Sequence, residues 1–250
     1  MNRPAFIYAA YLPGTTVAAT DTAAGYAPAD VLEGCEDSGW KPVDTTGSKS
    51  LTLDLGGAFL VGALAMTGEY LNGVTLEVRA SSDNFALSDV QVSPPASIVN
   101  FTTAWRNWSA GTWRYWRLIF SGIGASFLLH HVALGPFEPL PFHGDGHDPD
   151  TFGAEGDHLV SVSGYYLGNS QRRAMRAISL GFGQVTADEY VLFQRWADVC
   201  VRTLRPFFYV PDTDGTDCLF GWIDAKYKFS APYKNGLRDM AKIPFNARVV

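Results

Sequence analysis

The sequence has little cysteine, a deficit of basic residues and no long apolar segment. Its three cysteines, Cys35, Cys200 and Cys218, are odd in number and widely spaced. We therefore predict reduced structural thiols rather than a disulfide framework or a cysteine metal site. Nineteen basic against 25 acidic residues give a net charge of -6, which does not favour binding to a specific nucleic acid. No stretch approaches the roughly 18 apolar residues of a membrane helix, so no membrane insertion is expected.

Sequence motifs for catalysis are also missing. There is no Gly-x-Ser-x-Gly elbow, and the glycines Gly181 and Gly183 lack the lysine and the spacing of a phosphate-binding loop. His130 and His131 lie inside a strand pattern, which favours packed or paired imidazoles over a catalytic base. We therefore expect no enzymatic activity and no cofactor.

A segment rich in histidine and carboxylates is the strongest candidate for a metal site. Its donors are His143, Asp145, His147, Asp148, Asp150, Glu155, Asp157 and His158. Such donors can bind a divalent ion, but interspersed glycine and proline without periodicity favour a solvated linker. The acidic residues Asp212, Asp214 and Asp217 have part of a calcium-site spacing but lack its bidentate glutamate. No metal site is assigned to either segment.

Strand patterns dominate the first half of the chain. The segment from Gly111 to Phe120 alternates large side chains on both faces and predicts a central strand. The series Leu51, Leu53, Leu55 predicts a half-buried strand that stops at Gly56. Several such strands with turn signals between them, and no convincing helix for more than a hundred residues, predict an all-β sandwich.

Composition divides the 250 residues into four regions. We predict an N-terminal arm or edge strand over 1–24, the sandwich over 25–137, a linker over 138–158 and a second β module over 159–250. Strands of the second module are predicted at 159–166, 171–182, 207–210, 218–223, 226–230 and 243–249. The fold class is thus mainly β, with a first β-sandwich and a second β-sandwich or barrel that carries one packed α-helix.

One helix is predicted in the second module. Thr186 and Glu189 have the spacing of a capping box. Leu192, Trp196 and Val199 follow at helical spacing and predict the packing face.

Tryptophans of the first module are the candidate ligand or interface contacts. We select Trp40, Trp105 and Trp108, which could stack on sugar rings at the loop end of a sandwich, as could Trp113 and Trp116. Alternatively, Trp113 and Trp116 fill the core while Trp105 and Trp108 cover a loop or an interface. The second interpretation is favoured, because large aromatic side chains dominate both cores and protein contacts.

Residues 25 to 137 contain a series of short motifs. In order, these are Trp40, Leu53-Asp54-Leu55-Gly56, Gly68, Val78-Arg79-Ala80-Ser81-Ser82-Asp83, Arg114-Tyr115-Trp116-Arg117-Leu118 and Val132-Ala133-Leu134-Gly135. Their order resembles the discoidin-like branch of the galactose-binding-like jelly rolls. The sequence lacks the flanking cysteine pair that is common in secreted members. The resemblance implies a jelly roll.

Residues 159 to 250 contain two predicted strands and a predicted helix, followed by three motifs. The motifs are Pro206-Phe207-Phe208-Tyr209-Val210-Pro211, Leu219-Phe220-Gly221-Trp222 and Ile243-Pro244-Phe245. This arrangement resembles the tail-tube-like and distal-tail domains of long-tailed bacteriophages. It implies a structural protein of the tail tip or upper baseplate, made in the bacterial cytoplasm and carried in the virion. The implied partners are further copies in a homo-oligomeric ring, the tail tube, the tape-measure protein and the baseplate hub.

Two other functions stay open at this stage. In the first, the chain is an adhesin whose jelly roll binds a host glycan and whose second module attaches it. In the second, carboxylates of the linker such as Asp145 and Glu155 hydrolyse a glycan.

Overall fold

A computed structural model describes residues 3–9, 14–34, 37–141, 148–160, 166–229, 233–234 and 237–248. At 148–160, 166–176, 184, 233–234, 237–242 and 248 it describes the backbone alone. The strands are β1 (Ala5–Ile7), β2 (Thr16–Ala19), β3 (Lys49–Glu69), β4 (Thr75–Ser81), β5 (Val90–Ser97), β6 (Thr103–Ser121), β7 (Leu128–Gly135), β8 (Phe137–Pro139), β9 (Asp148–Val160), β10 (Tyr166–Val185), β11 (Phe207–Val210), β12 (Leu219–Trp222), β13 (Tyr233–Lys234) and β14 (Leu237–Arg248). The helices are a 3₁₀ helix (Pro28–Leu32), α1 (Ala187–Trp196) and a π-helical segment (Ala197–Val201). The fold is mainly β, as predicted.

The chain divides into two compact units. The first contains Met1–Leu140 together with Pro206–Phe220, and the second contains Pro141–Arg205 together with Gly221–Val250. This division differs from the contiguous modules expected from the sequence, because residues 206–220 belong with the first unit. Antiparallel pairing of β11 with β1 joins segments some two hundred residues apart in the chain, which no local pattern predicts.

The larger sheet of the first unit has the strand order β2-β3-β6-β4-β5, with β7 also paired to β3. β6 lies between β3 and β4, which confirms the central position predicted for Gly111–Phe120. The predicted stop at Gly56 is wrong, since β3 continues to Glu69. Gly56 has a φ of 78°, and the β3–β6 register shifts between Asp54 and Phe59. The glycine therefore marks an irregularity within one long strand.

One large apolar core lies against this sheet. The residues Leu51, Leu53 and Leu55, predicted to share a face, are fully buried in it. Residues from both halves of β3 contribute, as do even-numbered residues of β4 and β6. The alternation of period two in these strands thus sets the inward face, as half-buried strands require.

A second core lies on the other face of β3 and β7. Here Ala63, Ala65 and Ala133 pack with Ile7 of β1 and Phe208 of β11. The alanine side chains on β3 and β7 are short, so β11 can approach these strands closely. The larger side chain of Phe208 then fills much of the space between them. Residues 5–7, expected in an arm or edge strand, are fully buried, and β1 is paired on both sides, by β8 and β11.

In the second unit, β10 lies between β14 and β9. Asp148–Val160 forms β9, so residues 148–158 of the linker predicted over 138–158 lie in a strand. Residues 226–229 are not a strand, and the strand predicted at 243–249 is part of the longer β14.

The predicted capping box opens α1. The Thr186 hydroxyl accepts from the Glu189 backbone N–H, and the Glu189 carboxylate accepts from the Thr186 N–H at 2.9 Å. These bonds satisfy first-turn donors that otherwise lack partners.

Candidate ligand-binding site

Trp40 belongs to the core of the first unit. Its side chain is fully buried, and its ring contacts those of Phe120 and Phe127. The indole Nε1 donates to the Asp21 carbonyl oxygen at 3.0 Å. This burial does not fit the expectation that Trp40 contacts a ligand or an interface.

Trp108 covers the edge of the same core. Its ring stacks on that of Trp116 with 5.8 Å between centroids, and its Nε1 donates to the Val61 carbonyl oxygen at 3.2 Å. Trp116 is fully buried and Trp113 packs partly buried against the core. Trp108 therefore packs against the core, and the interpretation that it covers a loop or an interface stays a prediction.

Trp105 borders a cavity. Its side chain is 8% exposed, and its ring stacks parallel to that of Phe137 with 6.1 Å between centroids. The cavity has a volume of about 210 Å³ and lies in the first unit. Its walls come from the β5–β6 connection with the start of β6, and from the β11–β12 connection.

The cavity combines an apolar wall with several polar groups. Ile98, Val99, Ala104 and Trp105 supply the apolar wall. The polar side chains are those of Asn100, Thr103, Arg106, Asn107, Thr213 and Thr216. Neither a carboxylate nor an imidazole is among the lining residues. A concave surface of this composition is typical of a site for a small polar ligand.

Side-chain hydrogen bonds join the two connections that form the walls. The Asn100 amide donates to the Thr216 carbonyl oxygen at 3.1 Å, and the Thr103 hydroxyl donates to the Cys218 carbonyl oxygen at 2.8 Å. In the β11–β12 connection, the Asp212 carboxylate accepts from the Asp214 N–H at 2.9 Å. This turn uses Asp212 for its own backbone, as aspartates in turns commonly do.

Arg106 is the one cation of the cavity wall. Its guanidinium donates to the carbonyl oxygens of Ser97, at 3.0 Å, and Trp105, at 3.3 Å. Its Nε atom is buried and has no hydrogen-bond partner among the described residues. Burial lowers the pKa of the guanidinium from its ordinary value, because desolvation disfavours the charged form.

The adjacent histidines are buried on β7 rather than grouped for catalysis. The His130 Nδ1 atom lies 2.9 Å from the Ser38 carbonyl oxygen, and its Nε2 atom lies 3.5 Å from the Glu69 carboxylate. The His131 Nδ1 atom lies 2.9 Å from the Val31 carbonyl oxygen. These contacts are those of packed imidazoles that tie β7 to neighbouring segments.

The structure describes the candidate metal segments in part. His143, Asp145 and His147 lie outside the described residues, as do the side chains of the donors from Asp148 to His158. Among the side chains that the structure describes, no three metal-ligating groups come together.

The described helices include none long and apolar enough to cross a membrane.

The predicted packing face of the helix is partly correct. Trp196 is fully buried, whereas Leu192 and Val199 are half-buried. Phe193 and Cys200 are fully buried as well, and the Phe193 ring contacts that of Phe182. Burial raises the pKa of the Cys200 thiol, as expected for a structural cysteine.

Sequence reasoning selected Trp105 but missed its polar neighbours. Arg106 and Asn107 follow it directly in the sequence, and a mixed aromatic and polar run on a strand is a weak signal for a site. Thr213 and Thr216 carry no such signal, because their segment has the composition of an ordinary turn.

No protein-family model matches the chain, and no curated protein matches it. Among solved structures, chitosan-binding module 1 of a chitosanase/glucanase from Paenibacillus sp. IK-5 is 15% identical, with a TM-score of 0.44 over 49% of this chain and 95% of that one. A carbohydrate-binding module from Clostridium perfringens in complex with GalNAc-β-1,3-galactose is 17% identical, with a TM-score of 0.43 over 49% and 95%. The corresponding module of AlyQ, in complex with 4,5-unsaturated mannuronic acid, is 21% identical, with a TM-score of 0.41 over 50% and 95%.

Proposed function

We propose that the first unit is a non-enzymatic module that binds a saccharide in the cavity beside Trp105. The observation that carries the proposal is the composition of this cavity, which Ile98, Val99, Ala104 and Trp105 line together with side-chain amides, hydroxyls and a guanidinium. A sugar ring has an apolar C–H face and a rim of hydroxyl groups, so it needs both kinds of surface at close range.

The polar groups suit a ligand dense in hydroxyls. Asparagine amides and threonine hydroxyls each donate and accept hydrogen bonds. They can therefore bind the same sugar hydroxyl either as donor or as acceptor. The volume of about 210 Å³ is of the order of one sugar residue, so we expect recognition of one residue in a longer chain or at its end.

The lining residues favour binding over turnover. Glycoside hydrolysis ordinarily uses two carboxylates on either side of the scissile bond. The cavity walls offer none, and this supports the proposal that the module holds its ligand without cleaving it.

A saccharide panel with matched variants tests this function. We expect calorimetry or ligand-observed NMR to detect a ligand, and Asn107→Ala to weaken its binding about fivefold or more through loss of one hydrogen bond. Asn72→Ala is the matched control, because Asn72 is exposed and does not line the cavity. Trp105→Phe retains an aromatic ring and therefore tests whether the indole of Trp105 itself is needed for binding. Absence of binding throughout the panel, or equal affinities of the Asn107 and Asn72 variants, would overturn the proposal.

A second candidate function is assembly into a ring, as in the tail tip of a long-tailed bacteriophage. The observation in its favour is β9, a strand of 13 residues that pairs with β10 alone among the described residues. An open strand edge of this length can pair with a strand of another copy, and closed symmetry ends such an assembly. In this candidate the chain joins tail proteins within the virion.

Adjacent proline substitutions in β9 test the second candidate. In an antiparallel pair, the backbone N–H groups of successive residues point to opposite sides of the strand. Ala154 and Glu155 oppose Ala174 and Arg173 in regular register, so Ala154→Pro and Glu155→Pro remove one N–H on each side. We expect one variant to lose thermal stability and the other to stay folded but lose assembly, measured by light scattering and electron microscopy. A monomeric wild-type protein, or assembly by both variants, would contradict this function.

A further inference from the structure

Arg106 differs in its partners from Arg114 and Arg79, two other arginines of the first unit. Arg114 forms a two-pronged ion pair with the Asp54 carboxylate at 2.7 and 2.8 Å, and Arg79 pairs with Asp89 and Glu77. Arg106 instead bonds only backbone carbonyl oxygens among the described residues, and its Nε atom is left without a partner. Arg106 therefore has no carboxylate partner among the described residues.

A partly buried cation without a carboxylate partner is costly. The free-energy cost of removing a charge from water is offset only when an opposite charge or a full set of hydrogen bonds replaces the solvent. Arg106 lines the cavity, so a ligand in the cavity is the group that can supply the missing negative charge. The planar guanidinium matches the geometry of a carboxylate better than that of any neutral sugar group.

We propose that the saccharide bound in this cavity is acidic, and that Arg106 recognises its carboxylate. This inference rests on the saccharide-binding function proposed above and specifies its ligand class, a uronic acid or a glycan that contains one. The indole wall and the amides bind the ring, and Arg106 distinguishes the acid from the neutral sugar.

Sugar pairs that differ only at C6 test the proposal. Glucuronic acid is compared with glucose, galacturonic acid with galactose and mannuronic acid with mannose, by calorimetry on the full chain. We expect the acid of the preferred pair to bind about tenfold more tightly or better, as a charge-assisted hydrogen bond allows. Added salt should reduce this preference, because screening weakens the attraction.

The decisive variant is Arg106→Gln. It should abolish the preference for the acid, so that the acid and the neutral sugar of the preferred pair bind with about equal affinity. The control is Arg202→Gln, an exposed arginine of the second unit, which should retain the preference. An unchanged preference in Arg106→Gln would overturn the inference.

A methylated ligand provides a test that does not depend on the folding of a variant. The methyl ester of the preferred uronic acid is neutral and nearly the same shape, so we expect it to bind the wild-type protein like the neutral sugar. If the ester binds as tightly as the acid, or if acids and neutral sugars bind equally, the inference fails while saccharide binding stands. If no sugar of either kind binds, the proposed function itself fails.

Discussion

Small residues determine how closely segments of the first unit approach one another. Gly68 lies in β3 at a register shift against β7, and a Cβ atom there would collide with the carbonyl oxygen of Leu128. Gly39 meets the carbonyl oxygen of Leu129 in the same way. Backbone atoms cannot rotate aside as a side chain can, so these two glycines are required by packing rather than by their own dihedral angles.

Replacement of Gly68 by alanine should therefore destabilise the first unit. We expect the free energy of unfolding to fall by about 1–3 kcal/mol, the usual range for overpacking at a closely packed position. Gly124→Ala is the matched control, because a Cβ atom there meets nothing within 4 Å. Urea denaturation of both variants measures the difference, and equal midpoints would contradict the packing argument.

At the scale of the element, the start of α1 is specified locally whereas its packing is not. Thr186 and Glu189 bond each other's backbone within one turn, so their spacing in the sequence was sufficient to place the helix start. The buried face required the tertiary structure, which buries Phe193 and Trp196 fully and leaves Leu192 half-buried. A helical period defines a stripe, but the neighbouring strands determine its width and centre.

The capping box makes a measurable contribution to the helix. Thr186→Ala should lower the free energy of unfolding by about 1 kcal/mol, because a first-turn N–H loses its acceptor. It should also accelerate amide hydrogen exchange in residues 187–196. Thr45→Ala, at an exposed loop position, controls for the loss of a threonine. Unchanged exchange in the first turn of the Thr186 variant would show that the cap does not stabilise α1.

At the scale of the whole molecule, the first unit is completed by a segment from far along the chain. Phe208, Val210, Cys218 and Phe220 supply one side of the core that contains Ile7 and Ala133. The same segment supplies the Thr213 and Thr216 wall of the cavity. Neither the second core nor the candidate site exists without residues 206–220.

A chain truncated after Leu140 should therefore fail to form a stable first unit. Each lost apolar side chain of this size contributes roughly 1.5–3 kcal/mol when fully buried, and several together approach the whole stability of a typical domain, about 5–15 kcal/mol. We expect broad thermal unfolding and binding of a hydrophobic dye. The control appends residues 206–220 to the truncated chain through a flexible linker and should restore a cooperative transition. Cooperative unfolding of the truncated chain at the temperature of the full chain would refute this expectation.

The sequence by itself determined the fold class, the inward faces of the main strands and the start of the helix. Each of these depends on residues within a few positions of one another. They are the alternation of Leu51, Leu53 and Leu55, the alternation of large side chains from Gly111 to Phe120, and the pair Thr186 and Glu189. The tertiary structure decided which segments share a unit, that Trp40 is a core residue, and that Arg106 and the β11–β12 connection line the same cavity. The physical reason is the separation along the chain of the residues that interact. Periodicity and capping depend on neighbouring residues, which can be read from the sequence. Strand pairing and cavity walls join residues far apart in the chain, and the sequence alone does not show which distant segments come together.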